Sequence, residues 1–255
     1  MRVLAAIALS VVLVSLAPGE VFVTAYRCDG KTPLTLKDPN TPHVYSDIMV
    51  GTRIVLVVSS DKPWKELTGW WGGLQSTWDN WERGKLAGRG YDANDPNSFN
   101  YWDSCLPAAG RLARVTLFSE DPELGFNRMG FDLITYREAL AGDWFVLDYI
   151  AEKTGSSNVG FFDFALSPDV PKETLSFTHV PSRDFKGNGI VDFADFASLA
   201  LRWRQPVDPN ADPASPHDLD ADHLIGPSDL VLFSGFWLDR TDCAAPAEPN
   251  TPAGL

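Results

Sequence analysis

Apolar residues over the first two thirds of the chain come in short runs broken by turn formers. Runs rich in Val, Ile, Phe, Tyr and Trp occupy Val21 to Tyr26, Arg53 to Ser59, Arg111 to Phe118, Trp144 to Ile150, Val159 to Ala165 and Thr174 to His179, with Gly, Pro, Asn and Asp between them. This patterning predicts strands packed as a sandwich. A helical patch is expected over Ser76 to Leu86, and the Gly- and Asn-rich stretch from Gly88 to Asn100 reads as a long loop. After His179 the period changes. Phe196, Leu199, Ala200 and Trp203, and again Leu230, Phe233, Phe236 and Trp237, recur mostly at three or four residues, which predicts two amphipathic helices. The expected architecture is a mainly β sandwich domain over 20–181 followed by a small α module over 182–243.

Each expected helix is preceded by an acidic loop, and the two loops are copies. One reads D-F-K-G-N-G-I-V-D-F-A-D from Asp184 to Asp195, the other D-L-D-A-D-H-L-I-G-P-S-D from Asp218 to Asp229, and in both the first Asp stands nineteen residues before a Trp, at Trp203 and Trp237. Oxygens at loop positions 1, 3, 5 and 12, a main-chain carbonyl at 7 and a water or carboxylate at 9 form the ligand set of Ca²⁺. In the second loop Asp218, Asp220, Asp222 and Asp229 fill the four side-chain positions, Leu224 supplies the carbonyl, and Gly226 leaves room for water. His223 stands at position 6, where the turn needs positive φ and Gly is usual; His there costs about 1 kcal/mol. In the first loop Asp184, Asn188, the carbonyl of Ile190, Asp192 and Asp195 fit, with Gly189 at the turn, but Lys186 occupies position 3. A cation there removes a ligand and repels the metal, so the second loop is expected to bind more tightly than the first.

Residues 184–243 resemble a dockerin, the paired loop-helix calcium module of cellulosome-type assemblies. Its EF-hand-like repeats lack the leading helix of a full EF-hand and close each loop with Asp instead of Glu, and both features hold here. The resemblance covers about a quarter of the chain and implies calcium-dependent folding and docking onto a cohesin, a β-sandwich receptor. It further implies that partner choice rests on the pair just before the last ligand, often two hydroxyls. Here those positions are Phe193 and Ala194 in one repeat and Pro227 and Ser228 in the other, which departs from the hydroxyl pattern and breaks the near-symmetry that allows binding in two orientations. In the first domain, G-T-R-I-V-L-V-V-S-S from Gly51 to Ser60 and G-D-W-F-V-L-D-Y from Gly142 to Tyr149 resemble strands of cohesin-like and carbohydrate-binding β-sandwiches.

The remaining features set the context. Met1 and Arg2 precede the apolar run Val3 to Val14 and a small-residue region, which reads as a signal peptide over 1–19 and places the mature protein outside the cytoplasm, secreted or in the cell envelope, with no membrane span after its removal. Cys28 and Cys105 are candidates to pair in such an oxidising compartment, with Cys243 the odd one. With 34 acidic against 21 basic residues and a net charge of −13, the chain lacks the clustered Lys and Arg that phosphate binding needs, so nucleic acid is excluded as a natural partner. No spacer separates Thr178 to Ser182 from the first loop, so the two modules should pack, whereas Ala/Pro-rich 244–255 is expected to be a disordered tail.

Six of nine Trp lie between Trp64 and Trp102, namely Trp64, Trp70, Trp71, Trp78, Trp81 and Trp102, so a polysaccharide-binding sandwich is an alternative to core packing of these rings. A hydrolase needs only two carboxylates, for which Glu66, Asp79, Glu82, Asp103 and Asp148 are candidates. No nucleophile elbow, zinc-type His pair or phosphate loop occurs, so the chain is read as a non-catalytic interaction protein.

Overall fold

The computed structural model describes residues 20–61, 63, 70–76, 83–88, 105–106, 108, 113–121, 126–133, 139–163, 170–208 and 215–242. Ten strands and two helices follow one another: β1 (Val21–Arg27), β2 (Val44–Met49), β3 (Arg53–Ser60), β4 (Trp70–Ser76), β5 (Gly84–Gly88), β6 (Ala113–Asp121), β7 (Phe126–Leu133), β8 (Gly142–Ala151), β9 (Gly155–Asp163), β10 (Glu173–Val180), α1 (Phe193–Leu201) and α2 (Pro227–Ser234). The strands form a four-stranded sheet in the order β1-β3-β8-β5 and a six-stranded sheet in the order β2-β10-β9-β4-β7-β6. Neighbours pair antiparallel except β10 with β2, which run parallel.

Alternation along the strands builds the core. Val21, Val23 and Ala25 of β1 face inward while their neighbours do not, and Leu175, Phe177 and His179 do the same on β10. One apolar cluster joins Ile54, Leu56, Leu147 and Tyr149 of the smaller sheet to Leu74, Val159, Phe161 and Phe177 of the larger. Side chains of both inner faces thus interdigitate as a sandwich requires. The Phe177 ring stacks on Tyr149 at 4.5 Å and on Tyr45 at 5.4 Å between centroids. A bulge between Val58 and Ser59 pairs these residues with Phe145 and Asp143, so Trp144 is the extra residue; both Trp144 and Phe145 are then fully buried. Burial of Trp144 is made tolerable by its indole N–H, which donates to the carbonyl of Leu140 at 2.8 Å.

Several expectations are corrected. Gly84 to Leu86, placed in a helical patch, begin strand β5 paired with β8, and Ser76 ends β4. Cys28 is disulfide-bonded and Cys105 is not, so these two do not pair; Cys243, outside the described residues, is the third cysteine in the chain. Asp148, one of the candidate carboxylates, is held in an ion pair: its side chain is 1% exposed and accepts from Nη1 of Arg53 at 2.7 Å. The helices are shorter than expected, so Trp203 and Trp237 lie in the turns beyond them. Their apolar faces are also only partly covered. Leu199 and Phe233 are buried, whereas Phe196, Ala200, Trp203 and Trp237 are exposed. The signal segment 1–19, the tail 244–255, Trp64, Trp78, Trp81, Trp102, Glu66, Asp79, Glu82 and Asp103 lie outside the described residues, and Trp70 and Trp71 are described only as backbone of β4.

The small module packs directly on the sandwich. Its apolar cluster of Val191, Leu199, Leu219, Ile225 and Phe233 takes in Met49 from the end of β2, with Val180 of β10 against it. Arg183, just past β10, is buried beneath the Phe236 ring at 4.4 Å. At the far end the chain returns to β3, where the amide of Arg53 donates to the carbonyl of Thr241 at 2.8 Å.

Candidate metal centre

The two acidic loops have the same backbone. Positive φ occurs at position 4 in both, Gly187 at 66° and Ala221 at 60°, and at position 6 in both, Gly189 at 85° and His223 at 70°. The strain expected at His223 is therefore present. It recurs after the helices at Arg204 and Leu238, twenty residues from each loop's first Asp.

The loops close through each other. Ile190 of the first loop bridges Arg240 beyond α2, and Leu224 of the second bridges Pro206 beyond α1. Val191 and Ile225 donate to the carbonyls of Asp239 and Gln205, Leu238 and Arg204 return donations to those of Val191 and Ile225, and Thr241 and Val207 donate to those of Gly189 and His223. Each repeat thus carries the other's closing segment, which makes the pair a pseudo-twofold unit. Ile190 and Leu224 sit at positions whose flanking residues make these ladder bonds. Their own carbonyls stay out of that ladder, as a position-7 ligand requires.

Position 12 has a structural duty in both loops. The Asp229 carboxylate is fully buried and accepts from the amides of Leu219 at 2.6 Å and Gly226 at 2.7 Å. Asp195, equally buried, accepts from Lys186 at 2.9 Å and Asp192 at 2.9 Å. An ionised carboxylate has about four lone-pair sites. Two remain for a metal in each case. Both groups also sit in the first turn of a helix, where the dipole favours negative charge.

The loops differ in what surrounds position 1. In the second, carboxylate oxygens of Asp218, Asp220 and Asp222 lie within 4.8 Å of one another. Oδ2 of Asp218 accepts from the amide of His223 at 3.1 Å, but Oδ1 is buried without a hydrogen-bond partner, on a side chain only 5% exposed. A buried, unpaired carboxylate oxygen is costly unless a cation completes it. The donor set of three clustered carboxylates, Asp229 and the Leu224 carbonyl suits a hard divalent ion such as Ca²⁺, so the residues present fit the metal. Positive φ at Ala221 and His223 curls the loop backbone that would surround such an ion.

No comparable cluster forms in the first loop among the described residues. Asp184 is satisfied from within: Oδ1 accepts from the amide of Asn188 at 3.0 Å, and Oδ2 from that of Gly189 at 2.8 Å and the hydroxyl of Thr241 at 3.3 Å. The Asn188 amide donates to Asp192 at 3.3 Å, tying positions 5 and 9 together. Asp192 also caps α1 by accepting from Ala194 at 2.7 Å. Lys186 is exposed at position 3 and uses only its main chain within the loop. Thr241 was not singled out from the sequence; its counterpart thirty-four residues earlier, Val207, shows where the repeat diverges.

The expected partner-binding positions are on the surface. Phe193, Ala194, Pro227 and Ser228 are all exposed in the first turns of α1 and α2, and the Phe193 ring stands edge-on to Trp237 at 4.9 Å. Beside the second loop, His217 Nε2 lies 3.0 Å from the Ser198 hydroxyl, and burial, then Arg202 and Lys186, hold its pKa below the usual histidine value.

No known family model matches this chain, and no curated protein matches it. Among solved structures it is similar to the second type II cohesin module from the adaptor ScaA scaffoldin of Acetivibrio cellulolyticus, at 14% identity and a TM-score of 0.32 over 62% of this chain and 80% of that one. It is also similar to a type II cohesin domain from the cellulosome of the same organism, at 12% identity and a TM-score of 0.33 over 63% and 84%. A third is BspA_C_mut, at 10% identity and a TM-score of 0.31 over 63% and 46%. The two-sheet architecture described above rests on strand pairing, independently of these likenesses.

Proposed function

We propose that this chain is a secreted or envelope-located, non-catalytic interaction protein whose dockerin-like module is stabilised by Ca²⁺ at its second loop and presents an apolar surface to a protein partner. The observation that carries this reading is where the exposed apolar side chains are. Among the described residues, Phe193, Phe196, Leu201, Val231, Trp237 and Leu238 of the module are between 38% and 76% exposed, while the sandwich adds only Leu140 and Val170 to the large exposed apolar side chains. A concentration of this kind on a small module supports a docking role for it. Its proximity to the fitted cation loop supplies the calcium dependence, because α2 starts inside the loop that Asp229 closes. The partner class implied by the resemblance is a cohesin-like β-sandwich. No described helix is long and apolar enough to cross a membrane.

The test is capture from secreted and envelope fractions on immobilised full-length protein, with calcium and with EDTA. Capture should require calcium and should fall at least about tenfold for Val231→Asp, a change at an exposed position of α2. Equal capture with and without calcium, or no effect of Val231→Asp, would refute the proposal. Retention on insoluble polysaccharide without any captured protein would favour the carbohydrate alternative instead.

A further inference from the structure

We infer that the repeats have divided their work: the first loop is a metal-independent latch that holds the module to the sandwich, and only the second is left to take an ion. The second half of this statement rests on the calcium reading above; the first half does not.

Thr241 is the pivot. It is 5% exposed and bonded on three sides: its amide donates to Gly189 at 3.1 Å, its hydroxyl to Asp184 at 3.3 Å, and its carbonyl accepts from the amide of Arg53 at 2.8 Å. Arg53 opens β3. Its guanidinium donates to the buried Asp148 on β8 at 2.7 Å, and its Nε lies 3.6 Å from Asp242. A continuous polar path therefore runs from position 1 of the first loop, through Thr241, to the centre of the smaller sheet. Next to it the amide of Val50 donates to Val180 at 2.9 Å, closing the β2–β3 turn against the strand that enters the module.

The other repeat shows what this path replaces. Val207 occupies the place of Thr241 and makes the same main-chain bond, to His223 at 2.8 Å, but has no hydroxyl for Asp218. Asp218 Oδ1 is left buried without a partner, where its counterpart on Asp184 accepts from Asn188. Lys186 in the place of Asp220 completes the contrast: one loop is closed by the protein itself, the other by a ligand of opposite charge.

Amide hydrogen exchange on the full chain by NMR, in calcium and in EDTA, tests the latch. After chelation, Gly189, Val191 and Thr241 should stay protected while His223 and Ile225 exchange at least about tenfold faster. Thr241→Val, which installs the residue of the other repeat, should speed exchange at Gly189 about fivefold, the loss of one hydrogen bond, without changing calcium affinity. Calorimetry on the unmodified protein should find one equivalent of calcium. Two equivalents, or loss of protection in both loops alike on chelation, overturns the latch. If calcium alters neither loop and the first remains protected, the latch stands and the proposed calcium function fails.

Discussion

Replacing Asp229 with Ala separates the structural duty of position 12 from its duty to a metal. The side chain is fully buried and accepts from the amides of Leu219 and Gly226 at 2.6 and 2.7 Å. Hydrogen bonds to a charged group contribute about 1.5–3 kcal/mol each. Losing both costs about 3 kcal/mol at the low end of that range, since water entering the shortened site recovers part of the deficit. The module's apolar cluster is small, and a core of that size rarely supplies more than about 3–5 kcal/mol. Asp229→Ala should therefore unfold the module in EDTA as well as in calcium. Asp220→Ala is the contrast, because Asp220 is exposed and, among the described residues, accepts only from Asp222 at 3.2 Å. That variant should match the unmodified protein in EDTA and lose only the stabilisation that calcium adds. Denaturant titrations in both buffers, followed by hydrogen exchange within α1 and α2, distinguish the two. An Asp229→Ala protein as stable as the parent in EDTA would refute the reasoning, since its carboxylate would then matter through the metal alone.

Two further outcomes test the sandwich. A Cβ on Gly84 would lie 2.0 Å from the Tyr149 hydroxyl oxygen, so Gly84→Ala must displace a fully buried ring and should lower Tm by about 5 °C or more by calorimetry. His179 is buried, its Nδ1 lying 2.9 Å from the Lys153 carbonyl and its Nε2 3.0 Å from the Tyr149 hydroxyl, and desolvation lowers its pKa below the usual histidine value. The unfolded chain binds that proton more readily, so this contribution is intact above about pH 6.5 and is lost as pH falls toward the lowered folded value. Denaturation midpoints between pH 7 and 5 should fall less steeply for His179→Gln than for the parent; parallel slopes would remove His179 from the account.

Strands were legible where β-branched and aromatic residues dominate. β1, β3, β8 and β10 all correspond to runs read from the sequence, whereas β2, β4 and β5 escaped notice because Ser46, Asp47, Gly72, Gly73 and Gly84 give them little strand character of their own. Those segments are strands because neighbours already in the sheet offer hydrogen bonds to their backbones. The helical reading failed at Gly84 to Leu86 for this reason, while 77–82 lie outside the described residues. It also missed that Gly84 has to lie flat beneath Tyr149, a requirement that no local pattern expresses.

By itself the sequence determined the paired loops, their positive-φ turns, the negative charge at each helix start and the order of sandwich and module, because ligand spacing, turn geometry and helix capping act over about a dozen residues. Tertiary packing alone settled that Cys28 and Cys105 stay apart, that each repeat is closed by the segment following the other's helix, and that both carboxylate oxygens of Asp184 are filled, by Asn188, Gly189 and Thr241, while Oδ1 of Asp218 in the twin loop lacks a partner. Those outcomes join residues as distant as Arg53, Asp148 and Asp242. Such contacts form only once both sheets have packed and carried the chain ends together, so no stretch of sequence short enough to read locally contains them.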